Sequence, residues 1–397
     1  MVRSFAYAVC LAASLTACGG RGDFAGALPA VSALAASGPA AAQAATLAAP
    51  GEAGSVAGPA GTAGNASDAL EAAGLVDVEA FGAQAHLYVA NAATNTITVF
   101  DSQASGNAAP VRTIGGPATG ITCVRQTAVD AQGYLYVANF TASAQPAGAC
   151  GYNGGGEILV FAPGADGNAA PVRTIGGPAT TIENAAAVAV ARDGTLYVGE
   201  THLNGREADS TLLRFAADAT GNVAPTASRP VRGEAIDGIT LDPYLGVITS
   251  AQPGLPSAQA AAVGYYSRDL ASGGDAIAYD DPGPLASDPA THTFVGIGTF
   301  WGPSLDRYAD RSTGNYAGPG PGEHPHLTPG LDAHRAIGGC PKAVAIGASR
   351  TLYVAGTCPA AVSAFAPSAT PGADAPLRTI SGPATLLATP TYVSVGP

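Results

Sequence analysis

Charge is scarce in this chain. Asp, Glu, Lys and Arg make up 12% of its 397 residues, and the formal net charge is −12. Ordinary soluble domains carry roughly twice that charged share, about a quarter. Lys342 is the sole lysine, and Arg112, Arg173, Arg232, Arg335 and Arg378 recur one to a repeat instead of clustering. That distribution excludes a nucleic-acid partner, because neutralising phosphates takes grouped basic side chains. Motifs of local catalysis are missing as well. There is no Gly-x-Ser-x-Gly elbow, no His-Glu-x-x-His and no phosphate-binding glycine loop, so no short signature supports nucleophilic, metalloprotease or phosphoryl chemistry. Nor is there a Cys-x-x-Cys pair, which argues against a cysteine-based metal site. What abounds is glycine and proline, 53 and 31 residues, the punctuation of a chain with many turns.

The N-terminus sets an address. Arg3 gives a positive start, Phe5 to Leu15 is an apolar run too short to span a bilayer, and Leu15-Thr16-Ala17-Cys18-Gly19 closes it with small residues. This resembles a bacterial lipoprotein signal, residues 1–17, cut before Cys18. The resemblance implies an acylated Cys18 that holds the chain on a membrane of the cell envelope, with Gly19 compatible with sorting to the outer membrane. Residues 18–70 are then lipid attachment and tether. They are nearly all Ala, Gly, Pro, Ser and Thr, a composition that buries too little apolar area to offset ordering entropy and is expected to stay disordered.

From residue 71 to 397 a short unit returns. Leu87-Tyr88-Val89-Ala90-Asn91, Ile97 to Phe100 and Pro110 to Gly116 reappear as Leu135 to Asn139, Ile158 to Phe161 and Pro171 to Gly177. Further copies of the Leu-Tyr-Val strand stand at 196 and 352, and degenerate ones at Gly246-Val247-Ile248 and Thr293-Phe294-Val295. Alternation of apolar and small polar positions marks each as a strand. Ahead of most stands another strand ending in a turn signal: Ala128-Val129-Asp130, Val188 to Val190, Ile239 to Asp242, Ile277 to Asp280 and Ala343 to Ile346. Unit one lacks that strand, and Tyr392-Val393-Ser394-Val395 at the C-terminus supplies it. The expected fold is all-β: a six-bladed β-propeller of four-stranded antiparallel blades, its C-terminal strand closing blade 1 and leaving no open sheet edge.

An apolar strand ending in Asp, a turn, Leu-Tyr-Val-Ala-Asn, Ile-x-Val-Phe and a last strand ending in Gly resemble NHL-repeat propellers over about residues 75 to 397. The resemblance implies architecture more than chemistry, since such repeats serve binding scaffolds, lyases and lactonases alike. The Asp expected after the Leu-Tyr-Val strand is replaced here by Asn91, Asn139, Glu200, Ser250, Ile297 and Gly356.

Four cysteines lie beyond the leader, at two repeat positions: Cys123 and Cys340 before a blade's first strand, Cys150 and Cys358 in the loop after its second. In an up-and-down blade those connections emerge on one face. Of the three pairings four cysteines allow, Cys123 with Cys150 and Cys340 with Cys358 is therefore expected, in an oxidising compartment.

Two constellations are candidates for function. Asn91, Asn139 and Glu200, with Glu183 and Asn184 in a neighbouring loop and His202 two residues past Glu200, gather oxygens and an imidazole at the face where the channel opens. They are a candidate site for Ca²⁺ or another divalent ion, as in gluconolactonase-like propellers; the alternative is that the Asn side chains cap tight turns. Phe300, Trp301, Tyr308 and Tyr316, in a Gly/Pro-rich stretch where the repeat breaks down, form a candidate recognition loop. The balance favours a binding scaffold for a protein or a cell-envelope polymer, with no catalytic residue and no cofactor. The competing reading is a metal-dependent lyase or lactonase with its site at the channel mouth.

Overall fold

The computed structural model describes residues 85–140, 155–204, 207–231, 234–242, 246–253, 261–278, 283–288, 293–298, 304–308, 340–347, 349–366 and 375–397. Blade 1 contains β1 (His86–Asn91), β2 (Thr96–Asp101) and β3 (Arg112–Ile114). Blade 2 is β4 (Val124–Val129), β5 (Leu135–Phe140), β6 (Gly156–Phe161) and β7 (Arg173–Gly176). Blade 3 is β8 (Ala185–Val190), β9 (Leu196–Asn204), β10 (Glu207–Phe215) and β11 (Ala227–Val231). Blade 4 is β12 (Glu234–Asp242), β13 (Gly246–Pro253), β14 (Ala261–Tyr266) and β15 (Gly273–Ala278). A three-stranded sheet follows, β16 (Leu285–Asp288), β17 (Thr293–Gly298) and β18 (Ser304–Tyr308). The last blade is β19 (Pro341–Ile346), β20 (Leu352–Thr357), β21 (Ala360–Phe365) and β22 (Arg378–Ser381). Finally β23 (Pro390–Gly396) pairs antiparallel with β1 and takes the innermost place in blade 1.

The molecule is thus an all-β propeller of four-stranded antiparallel blades. Five sheets are complete, against the six expected. The remaining sheet has three strands, and residues 309–339, which follow it, lie outside the described residues. Innermost strands neighbour one another in the order β23, β4, β8, β12, β16, β19 and back to β23, so the terminal strand closes the ring as the repeat register required. One strand assignment is corrected. Ile277 pairs with Ala262 in the outer strand of blade 4, not in the inner strand of the next unit, and Leu285 to Asp288 fills that inner place.

Every Leu-Tyr-Val strand is buried on both faces, because a blade is sandwiched between two others. Leu135 and Val137 pack towards blade 1 with Leu87, Val99 and Phe161, whereas Tyr136 and Ala138 pack towards blade 3 with Val188, Val198 and Phe215. Alternation along the strand therefore addresses successive side chains to opposite neighbours. The same rule sends Tyr197 and Leu212 of blade 3 to Ile236, Val247 and Tyr266 of blade 4. Each such Leu, Val or Phe contributes about 1.5–3 kcal/mol by leaving water. The repeated arginines serve this packing. Arg112 Nη2 donates to the Tyr88 hydroxyl at 3.2 Å and Arg173 Nη2 to that of Tyr136 at 3.0 Å, each guanidinium lying over the ring.

A polar latch joins successive blades. Asn168 Oδ1 of blade 2 accepts the Ala118 N–H of blade 1 at 2.7 Å; Asn222 does the same for Ala179 at 2.7 Å and Asn107 for Ala384 at 2.8 Å. Backbone bonds flank each latch, such as Gly167 N–H to Thr113 O at 2.8 Å. The corner that receives the Asn needs glycine: Gly177 has φ 116°, and a Cβ there would stand 2.7 Å from Asn222 Oδ1. Gly177→Ala is expected to cost about 3 kcal/mol through strain and clash, and Asn222→Ala about 1 kcal/mol through one lost hydrogen bond. Urea unfolding of both variants checks the order; equal midpoints would show that the latch carries no load.

Candidate functional site

The ends of β1, β5 and β9 bear the first candidate residues. Asn91 is fully buried. Its Nδ2 donates to Val89 O and Thr98 Oγ1, both at 3.1 Å, and its Oδ1 accepts the Ala388 N–H at 2.9 Å. Asn139 is equally buried. Its Oδ1 accepts the N–H groups of Thr122 and Cys123 at 3.0 and 3.2 Å, while Nδ2 donates to Gly120 O at 3.1 Å and Glu157 Oε1 at 3.0 Å. Both amides hold the connection that leads into the blade's innermost strand. Their oxygens already accept backbone N–H groups, so both side chains hold these loops in place.

Glu200 occupies the same position in blade 3 and behaves differently. Its carboxylate accepts the N–H groups of Glu183 and Asn184, the counterparts of Thr122 and Cys123. Its other oxygen, Oε1, is buried without a hydrogen-bond partner, and so is Asn184 Oδ1. Asn184 is oriented unambiguously, because its Nδ2 donates to Thr201 O at 2.7 Å. Burial, then the nearby Glu183 carboxylate, pushes the Glu200 carboxyl up to about 8, against the pull of the two backbone donors. A carboxyl so placed exchanges a proton near neutrality and offers an oxygen to a hard cation. Glu183 is exposed on the same connection. For His202, the backbone register of the β9–β10 hairpin sets it opposite Asp209. Of these candidates the structure joins Glu200, Glu183 and Asn184, places Asn91 and Asn139 in hydrogen bonds that hold loops, and shows that Asn184 presents a partnerless oxygen. Among the described residues no three His, Cys, Asp or Glu side chains form a metal cluster.

The connection holding Asn184 has a counterpart in other blades. Phe140 N–H donates to Cys123 O at 3.1 Å, Thr201 N–H to Asn184 O at 3.1 Å and Thr357 N–H to Cys340 O at 3.0 Å. Asn184 therefore stands at the position of the two cysteines. Cys340 is bonded to Cys358 as expected. Cys123 is disulfide-bonded too, and its expected partner Cys150 lies outside the described residues.

Side chains bridge the innermost strands. Gln126 of β4 makes a paired contact with β12, donating from Nε2 to Ile239 O at 2.8 Å and accepting the Ile239 N–H at 3.0 Å. The Tyr392 hydroxyl of β23 donates to Asp237 O at 3.0 Å, at the bulge of β12. The axis of the ring is crossed here by protein groups that satisfy each other. In the second constellation, Phe300, Trp301 and Tyr316 lie outside the described residues, as do Cys18, Arg232 and Arg335, while Tyr308 ends β18 with its backbone opposite Phe294.

No family model and no curated protein sequence matches the chain. Among solved structures, a protein of unknown function from Bacteroides caccae is similar at 9% identity over 79% of this chain and 98% of that one, with a TM-score of 0.51. A luciferin-regenerating enzyme is similar at 12% identity over 67% of this chain and 78% of its own, TM-score 0.43. A virginiamycin B lyase from Staphylococcus aureus is similar at 10% identity over 64% and 70%, TM-score 0.35. At such identities the likeness is one of fold, and by fold the chain is a β-propeller of four-stranded antiparallel blades.

Proposed function

We propose that the chain is an envelope-anchored propeller, held to a bacterial membrane through acylated Cys18, that serves as a binding scaffold for a protein or a cell-envelope polymer. In this reading the three-stranded sheet is one of six blades of the NHL-repeat type. The observation that carries it is a repeated apolar rim. Val111, Val172 and Leu377 are 55%, 54% and 57% exposed, and each directly precedes the arginine of an outer strand, β3, β7 or β22. Those strands lie at the edges of blade 1, blade 2 and the last blade, which are neighbours in the ring. Single exposed apolar residues are ordinary; the same register exposed on three consecutive blades supports a surface kept for contact. The competing reading, a metal-dependent lyase or lactonase, rests on Glu200 with its neighbours Glu183 and Asn184.

Photocrosslinkers placed at positions 111, 172 and 377 in the producing cell are expected to give discrete high-mass adducts. A probe at exposed Gly164 is the control. Identical adduct patterns from all four positions would overturn the assignment of the rim.

A further inference from the structure

We infer that blade 3 carries a calcium-class cation site built from Glu200 Oε1, Asn184 Oδ1 and the Glu183 carboxylate, and that the cation ties the connection into β8 to the end of β9. The argument begins from two oxygens. Glu200 is 5% exposed and Asn184 2%, and each presents one buried acceptor with no partner. Leaving a buried acceptor unsatisfied costs about 1–3 kcal/mol, so two on residues in direct contact call for a shared donor or cation. All the groups offered are oxygens, two of them anionic, which suits a hard cation whose other positions are filled by water.

Comparison among blades says what the cation does. In blade 2 the equivalent connection is held by Asn139, which uses its N–H₂ group where Glu200 has a bare oxygen. In the last blade it is held by the Cys340–Cys358 bond. Blade 3 has neither an amide at position 200 nor a cysteine at position 184. A cation between Glu200, Asn184 and Glu183 is the non-covalent counterpart of that staple. The site belongs to one blade and is independent of the rim proposed as the binding surface.

The test is calorimetric titration of the full chain, stripped with chelator, with calcium chloride at pH 8.5. One ion per chain is expected, with a Kd on the order of 10⁻⁴ M, as for extracellular sites with few protein ligands. At a hundredfold excess over Kd the melting temperature is expected to rise by roughly 5 °C. Glu200→Gln, whose amide copies Asn139, is expected to fold and to lose both effects. Glu183→Gln changes an exposed side chain and is expected to weaken binding about tenfold, the equivalent of one lost charge contact. Absence of saturable binding to the wild-type chain overturns the inference, and so does an unchanged Kd in Glu200→Gln. Should Glu200→Gln fail to fold, an unchanged Kd in Glu183→Gln is the overturning result.

Discussion

A chain ending at residue 389 loses its cooperative unfolding transition. The missing segment is β23, which among the described residues is the strand that covers the inner edge of β1. It buries Tyr392 and Val393 in the largest core cluster. It also makes three bonds that no other segment replaces: Tyr392 to Asp237 O, Ser394 Oγ with Thr127 Oγ1 at 2.9 Å, and Tyr88 to Pro397 O at 3.1 Å. Packing is tight enough that a Cβ on Gly396 would stand 2.3 Å from Val129. Losing two buried side chains, a strand's worth of backbone bonds and the contacts of β23 with β4 and β19 amounts to roughly 10 kcal/mol, as much as an entire domain usually has. Thermal and urea melts of the truncated chain should therefore show a broad, low-amplitude change. A truncated chain that melts like the full-length one would mean that the ring does not depend on closure.

The closing strand was legible because repeat register is arithmetic on sequence: unit one lacked a strand and the C-terminus had one to spare. Cys340 and Cys358 were legible for the same reason. The inner strand after blade 4 was not. Ile277-Ala278-Tyr279-Asp280 and Leu285-Ala286-Ser287-Asp288 both read as apolar residues ending in Asp, and pairing alone separates them. Blade 4 joins its third and fourth strands by the tight turn between Tyr266 and Gly273 and dispenses with the longer Gly-Asn connection of blades 1, 2 and 3. Its outer strand therefore arrives early, where the repeat made the next unit's first strand expected. Asp288, at the end of the true inner strand, is bonded by Arg350 of the last blade at 2.8 Å. The Gly-Asn latch stands in the sequence at Asn107, Asn168 and Asn222, but its partner sits in the preceding blade, a contact no local pattern shows. For the candidate site the limit was different. Asn91, Asn139 and Glu200 share a strand position, and only the hydrogen bonds show that the amides are saturated while the carboxylate is not.

That difference makes stability depend on pH. An unfolded glutamate titrates at its ordinary value of 4.5, and folding raises Glu200 to about 8. The folded state thus holds the proton more tightly, so the contribution from Glu200 is complete below the unfolded value and is lost as pH rises through the folded one. Between those limits stability falls by up to about 1.4 kcal/mol per pH unit, roughly 3 to 5 kcal/mol in all. Urea midpoints of the chelator-treated chain, measured from pH 5 to pH 9, should decline accordingly. Glu200→Gln carries no charge to bury and should remove the decline, which makes it more stable than the wild-type chain at pH 8.5 and nearly equal to it at pH 5. Parallel curves for the two proteins would place the pH dependence elsewhere. Calcium adds a directional check, because the ion and the proton claim the same Oε1: excess calcium should flatten the wild-type curve above pH 7 and leave the Glu200→Gln curve where it was.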